Sequence, residues 1–341
     1  MKRGKGFLDN RNNPYFVAEI GSNHCGDLKH AVGLIKKIAE AGADAVKFQL
    51  FSAERLYSRR TPIFPGEKKS PFAVAKSIEL PIAWLRKISA VAAENGIDFL
   101  CTPFSCADVD SLENIGIKAY KVGSSEINDV ILIKHIAMTK KPIFLSTGMA
   151  SLADIELALE TIQTFGPCEV VLLQCTALYP TPYDEVNLLS MNGMKQTFGC
   201  EVGFSDHTLG IHIPLAAVAL GAKIIEKHVT MDRSLKGPDH FFALLPNEFG
   251  DMVSRAREIT AAMGSSRKII TKGERDKRHL SQRSIITKRK ISRGEIFCAE
   301  DLTTKRPGYG LPPALLKNII GHRASRDIPE DEVLRWEDVL L

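Results

Sequence analysis

No stretch of this chain approaches the run of about 18 uninterrupted apolar residues that a membrane-spanning helix needs, which excludes a helical integral membrane protein. The start, MKRGKGFLDNRNNPYF, is basic, but no apolar run of about seven or more follows it before FVAEIGSNH, so no secretory signal is expected and the protein is predicted to be cytoplasmic, with no membrane partner. Also missing are C-x-x-C spacing and the cysteine density of a disulfide scaffold. The seven cysteines, at 25, 101, 106, 168, 175, 200 and 298, are odd in number and scattered, and are predicted to be reduced, mostly buried thiols. An excess of one charge is missing too. The net charge is only +5 and part of it sits in SSRKIITKGERDKRHLSQR, so no nucleic-acid partner is expected. No serine stands in a G-x-S-x-G elbow, which leaves a triad hydrolase unsupported.

What is present is an ordinary globular composition, 44% hydrophobic and 25% charged, over 341 residues. That length is too great for one small core and suits two domains, or one large barrel with an appendage. Short apolar or β-branched runs recur: YFVAEI, DAVKFQL, IDFLCT, KAYKVG, PIFLST, EVVLLQC, CEVGFS and AKIIEKH. Between them lie segments of helical periodicity such as LKHAVGLIKKIAEAG, PIAWLRKISAVAAENG and SLADIELALETIQTFG, each ending at or near a glycine suited to a left-handed cap. Eight such βα units predict an α/β fold, a closed (β/α)8 TIM barrel over residues 1–264 rather than an open doubly wound sheet. The rhythm then stops. Residues 265–282 read as a linker, and residues 283–341, with short alternating strands and Gly/Pro turns, read as a small, mostly β module.

In a closed parallel barrel the C-terminal strand ends face the active site, and side chains two apart on a strand share a face. This chain puts polar pairs at that spacing. Lys47 and Gln49 end the second predicted strand, Ser205 and His207 the seventh, and Glu226 and His228 the eighth. The first carries Glu19 and is followed by Asn23 and His24, Thr102 closes the third, and Ser146 and Thr147 close the fifth. Lysine inside an apolar strand such as AVKFQ is costly unless paired, so Lys47 and Lys121 together point to an anion site. Ser124 and Ser125 after Gly123, with Ser146 and Ser205, offer hydroxyl donors to it. His207 and His228 end neighbouring strands and suit a divalent cation. Two imidazoles make no closed zinc site, so an open, water-rich shell for Mn2+ or Mg2+ is the better match, while Cys175 in LLQCT reads as core. Glu19, Glu126 and Asp239 are carboxylates that spacing alone assigns equally to proton transfer or to a solvated surface.

The segments FVAEIGSNHCGD, DAVKFQLF, YKVGSSE, LSTGM, QCTALYPTP, GFSDHTLGIH, IIEKHVT, GPDH and KRPGYG, in that order and nearly end to end, resemble the sialic acid synthase family. That family joins phosphoenolpyruvate to an N-acylated amino sugar, giving nine-carbon 2-keto acids, on a TIM barrel followed by an antifreeze-like SAF domain of β-clip type. The resemblance implies that Lys47, Thr102, Lys121, Ser124, Ser146 and Ser205 hold phosphoenolpyruvate and that His207 and His228 bind Mn2+ or Mg2+. It places Gln49, Glu126, Tyr179, Asp239 and Arg306 at the sugar and gives Glu19 a part in proton transfer or in handling the attacking water. Catalytic roles thus fall on Glu19, Glu126, His207 and His228. It further implies a domain-swapped homodimer in which Arg306 acts in trans, although from sequence alone that arginine reads as solvated in a basic turn. The product expected first is N-acetylneuraminate, from N-acetylmannosamine. The alternative is N,N'-diacetyllegionaminate, from the 2,4-diacetamido-2,4,6-trideoxy sugar. A non-catalytic sugar-binding regulator on the same barrel would be expected to lack one of Lys47, Lys121, His207 or His228, and all four are present.

Overall fold

Every apolar run quoted above becomes a strand in the computed structural model, which describes residues 7–8, 12–63 and 68–340. The basic residues at the extreme N-terminus lie largely outside that range. Strands β1 (Tyr15–Gly21), β2 (Ala45–Leu50), β3 (Asp98–Pro103), β4 (Tyr120–Val122), β5 (Ile143–Ser146), β6 (Val170–Cys175), β7 (Glu201–Asp206) and β8 (Ile224–His228) pair in parallel, each with the next. β1 also pairs with β8, which closes the barrel. A helix packs outside after each strand, and the first shows why. In Leu28–Glu40 the buried residues Ala31, Leu34, Ile35 and Ile38 recur at helical spacing along one face, and the Asp27 side chain accepts from the Lys29 NH at the N-terminus.

Strand parity sorts the two faces. Phe16, Ala18, Ile20, Val46, Phe48, Leu50, Val202, Phe204 and Ile225 point outward into the layer shared with the helices. Tyr15, Val17, Ala45, Leu100, Ala119, Phe144, Val171, Leu173 and Ile224 point inward and fill the lower barrel. Directly above this apolar filling, the next inward positions are Glu19, Lys47, Thr102, Lys121, Ser146, Cys175, Ser205 and Glu226, all of them buried. The fold therefore builds a polar chamber on a dry floor.

Residues Met1–Gly264 form one compact unit and Ser265–Leu341 a second. The second unit carries two small antiparallel pairs, β9 (Ser284–Thr287) with β10 (Leu302–Lys305) and β11 (Arg323–Ala324) with β12 (Val339–Leu340). They enclose their own apolar core, including Ile285, Ile291, Phe297, Leu302 and Leu334. Within residues 265–282, read above as a linker, lies a helix, Lys272–Ser281, begun by a reciprocal Thr271–Glu274 cap.

Two expectations need correction. All seven cysteines are free, but Cys25 and Cys298 are exposed and Cys106, Cys168 and Cys200 only half-buried, because just Cys101 and Cys175 sit on barrel strands facing packed neighbours. Gly42 and Gly96 take the left-handed conformation after their helices, at φ +88° and +75°, but Gly166 is extended, at φ −177°. Its requirement is space: a Cβ there would stand 1.9 Å from the Ala137 carbonyl oxygen. Gly166→Ala is expected to cost about 2 kcal/mol or more. Gly33→Ala, inside Leu28–Glu40 with open space around it, should gain about 0.5–1 kcal/mol. Urea denaturation of the two variants checks both signs.

Candidate active site

The chamber is organised by four buried charges. Lys47, on β2, sets its Nζ 2.8 Å from Glu19 Oε2 and donates to Thr102 Oγ1 at 3.0 Å. Register explains the first contact, since Glu19 and Lys47 are direct partners across β1 and β2, and Glu19 pairs with His228 on the other side. The β1 register slips between Glu19 and Gly21, a bulge that leaves Glu19 facing inward while the chain turns away into its loop. Lys121, on β4, donates to Ser146 Oγ at 2.5 Å and to the Val122 carbonyl at 2.9 Å. Between the lysines stands Glu226. Its Oε1 lies 3.7 Å from Lys47 Nζ and 4.0 Å from Lys121 Nζ, and it accepts from Ser205 Oγ at 2.9 Å.

These surroundings push the two carboxyls apart. Burial raises Glu19 above the usual carboxylate range despite Lys47. Glu226 feels the same burial, but Lys121 and Lys47 together outweigh it and hold this carboxyl below the usual range. Lys47 is kept above the ordinary lysine value, since burial is overcome by Glu19 and Glu226. Lys121 is drawn below that value by burial, with Glu226 opposing and Lys47 assisting the fall.

One layer further out stand the imidazoles. The rings of His207 and His228 are 5.4 Å apart between centroids, and Phe242 packs edge-on against His228 at 5.0 Å. His207 Nδ1 lies 2.9 Å from the Thr176 carbonyl oxygen, which can only accept, so the proton sits on Nδ1 and Nε2 keeps its lone pair. His228 Nδ1 is buried without a hydrogen-bond partner in the protein. Burial, followed by the neighbouring imidazole, lowers His207 to about 4. Burial, followed by Lys47, lowers His228 to about 3. Both rings are therefore neutral at neutral pH, which is the ligating form.

This donor set fits an open metal site with two protein nitrogens. Among the described residues no group of three or more His, Cys, Asp or Glu side chains is arranged to hold a metal ion, so there is no closed cage. Cys175 does not complete one. Its sulfur is 3.8 Å from His207 Nδ1, but burial raises the thiol and keeps it protonated. It lines the chamber beside Ser205, its partner across β6 and β7, where the sequence suggested core.

The remaining predicted residues divide. Gln49 Nε2 donates to Glu19 Oε1 at 2.7 Å. Asp239, on the loop after β8, reaches back to accept from Ser22 Oγ at 3.0 Å, and its Oδ2 stands 3.9 Å from His228 Nδ1. It is largely buried and not a solvated loop acid. Tyr179 is half-exposed and covers His207, with ring centroids 4.2 Å apart. Ser124 and Glu126 lie in a short turn after β4. Ser124 Oγ accepts from the Gly148 NH at 3.1 Å, and Ser125 Oγ donates to Glu126 Oε2 at 3.1 Å. Two glycines make room for this turn: a Cβ on Gly123 would stand 2.3 Å from Glu126 Oε2, and one on Gly148 2.7 Å from Ser124 Oγ. Burial raises the Glu126 carboxyl. Arg306 is exposed in the second unit, beside Pro307. Glu226 is the residue that the sequence reading left without a role. The signal was there, two positions before His228 and on the same face of IIEKH.

The NeuB family model matches residues 34–268, most of the barrel, with Lys47, Lys121 and Glu226 inside its span, and an SAF domain model matches residues 282–340. The chain belongs to the NeuB family. Its relatives include the N,N'-diacetyllegionaminic acid synthase of Campylobacter jejuni, 41% identical over 94% of this chain and 98% of that protein. A pseudaminic acid synthase of the same species is 33% identical over 95% and 96%. Among solved structures, an N-acetylneuraminic acid (sialic acid) synthetase from Leptospira borgpetersenii serovar Hardjo-bovis, in complex with citrate, superposes with a TM-score of 0.71 at 32% identity, covering 78% of this chain and 90% of that one. Family members with three differently named products thus resemble this chain along most of its length.

The imidazole pKa values carry a stability consequence for this NeuB family barrel. Both folded values lie below the unfolded value of 6.5, so the unfolded chain binds more protons between about pH 6.5 and 4, and stability falls as pH drops through that window. The double variant His207→Gln/His228→Gln should lose less stability than the parent between about pH 7 and pH 5. Urea titrations in the presence of a chelator measure the difference in slope, and equal slopes would remove the two rings as buried neutral groups.

Proposed function

We propose that this chain condenses phosphoenolpyruvate with an N-acylated amino sugar and water, yielding a nine-carbon 2-keto sugar acid and phosphate. One observation carries the reading: two buried ammonium groups ringed by Thr102, Ser146 and Ser205 hydroxyls lie one strand layer beneath two neutral imidazoles. An anion and an aldehyde can therefore be held one above the other. Lys47 and Lys121 take the phosphate and carboxylate as point charges, and Thr102, Ser124, Ser146 and Ser205 fix their orientation by hydrogen bonds. C3 of phosphoenolpyruvate attacks the aldehyde carbon of the open-chain sugar. Positive charge develops at C2, water adds there, and phosphate leaves by cleavage of its C–O bond.

His207 and His228 would hold Mn2+ or Mg2+, which when bound supplies Lewis-acid polarisation of the aldehyde oxygen. Glu19, its carboxyl raised and hydrogen-bonded by Gln49, is suited to accept the proton of the adding water at Oε2. Glu126, raised in the same direction, is a second carboxyl at the sugar. Gln49, Tyr179 and Asp239 contact the sugar in this reading. A homodimer in which Arg306 of one protomer reaches the sugar bound by its partner rests on the family resemblance.

Between the two sugars, 41% identity to a protein named for N,N'-diacetyllegionaminic acid favours the 2,4-diacetamido-2,4,6-trideoxy substrate over N-acetylmannosamine, which the sequence reading put first. Purified protein with Mn2+ should release phosphate from phosphoenolpyruvate only when an acceptor sugar is present, and kcat/KM across both sugars ranks them. Phosphate release with neither sugar, or with both equally and independently of sugar, would end the proposal. His207→Ala should weaken metal activation by about tenfold or more, beyond the loss of Tm expected from removing a ring packed under Tyr179 and bonded to the Thr176 carbonyl. Equal metal activation in the variant would remove the ligand assignment.

A further inference from the structure

Glu226 is an anomaly in the proposed site. A carboxylate set between Lys47 and Lys121, 3.7 and 4.0 Å from their Nζ atoms, repels the anion that those lysines are there to bind, and uniform binding of phosphoenolpyruvate would be stronger without it. The side chain is no passive neighbour. It is 5% exposed, one of its oxygens meets both ammonium groups and the Ser205 hydroxyl, and its other oxygen is buried without a protein partner.

The alternative arrangement shows what the carboxylate does. Lys47 has Glu19 as its own near anion at 2.8 Å. Lys121 has only neutral close partners, the Ser146 hydroxyl and the Val122 carbonyl, and the nearest anion to it is Glu226 at 4.0 Å. Without Glu226, a fully buried ammonium group would face a second one with no counter-charge in contact. We propose, on the reading that this chamber binds phosphoenolpyruvate, that Glu226 is a positioning residue: a fixed counter-ion that keeps Lys121 protonated and converged with Lys47 so that both can engage the ligand.

The groups facing Lys121 set the sign of the test. They are Glu226 and His228 on β8, Lys47 on β2, Glu19 on β1, Cys175 on β6, Ser146 on β5 and Glu126 in the turn after β4. Burial lowers the ammonium, and Glu226 is the largest influence raising it again. Removing that charge drops Lys121 further, so the protonated form is lost at lower pH and anion affinity fails earlier as pH rises.

The experiment is calorimetric titration of the full-length protein with phosphoenolpyruvate, without sugar, over about pH 6.5 to 9.5. It compares the parent with Glu226→Gln, which keeps the shape, and Glu226→Asp, which keeps the charge but withdraws it. The ratio of variant to parent affinity cancels the ligand's own ionisation. For Glu226→Gln that ratio should fall by about tenfold from the acidic to the alkaline end, with Glu226→Asp between the two proteins. The high-pH limb of kcat/KM for phosphoenolpyruvate should move the same way. A ratio constant with pH, in either variant with an intact fold, overturns the inference. If Glu226→Gln does not fold, Glu226→Asp alone decides it by the presence or absence of the smaller shift. Failure of the parent to bind phosphoenolpyruvate at any pH would instead sink the functional reading on which this rests.

Discussion

The alternation of side chains along eight parallel strands is the constraint on which everything else here depends. Because each strand's register is fixed against both neighbours, a slip of one residue would send Lys47, Lys121 and Glu226 into the helix layer and bring Phe48, Val122 and Ile225 into the chamber. Apolar packing below enforces the register. Tyr15, Phe144, Val171 and Ile224 fill the lower barrel, so the inward residues just above them meet one another and not bulk water. In such surroundings an ion pair at 4 Å is worth about 4 kcal/mol, against about 1 kcal/mol in water, so placement within an ångström sets protonation.

The same strands show what distinguishes a working charge from a structural one. Glu226, Lys227 and His228 are consecutive and alternate in direction. Lys227 points outward and meets Asp206 at 2.6 Å in a pair that is wholly buried, each charge answered by the other and by Thr208. That pair has nothing left with which to bind a ligand. On the inner face, charges are shared unequally: Glu226 meets two lysines, Glu19 one, and the two carboxyls shift in opposite directions. Paired groups driven apart in this way are the usual mark of sites that move protons.

The sequence made the strands legible because each is a short apolar run interrupted at period two by a polar residue, and the eight runs quoted match the eight barrel strands. It also made Lys47, Lys121, His207 and His228 legible, since charge or imidazole inside an apolar strand stands out. What it hid were relations across space. Asp239 is eleven residues beyond His228 in a loop, and only the folded chain brings its carboxylate to Ser22 and over Gly21, next to Glu19 and Gln49. Gly166 looked like a helix cap and is instead a point of close approach to Ala137. The helix Lys272–Ser281 was hidden by its own polarity. All its residues are exposed, so it has no apolar stripe to announce it, and its reciprocal Thr271–Glu274 cap was the available signal.

The division between strands and loops also bears on why relatives with different products remain so alike. The residues assigned to phosphoenolpyruvate are mostly on strands, where neighbouring register and the packed floor hold each one, and a change disturbs the whole chamber. Of those assigned to the sugar, Gln49 ends β2, but Tyr179, Glu126 and Asp239 stand on the loops and turns after β6, β4 and β8, where a side chain can be exchanged without moving a strand. Even there, some positions are fixed by contact: Gly123 must stay small to admit Glu126, and Gly148 to admit Ser124. A barrel built this way can keep one half-reaction constant while its rim is rewritten for another aldehyde. Substrate choice within the family should therefore follow the loop residues that are free of such contacts.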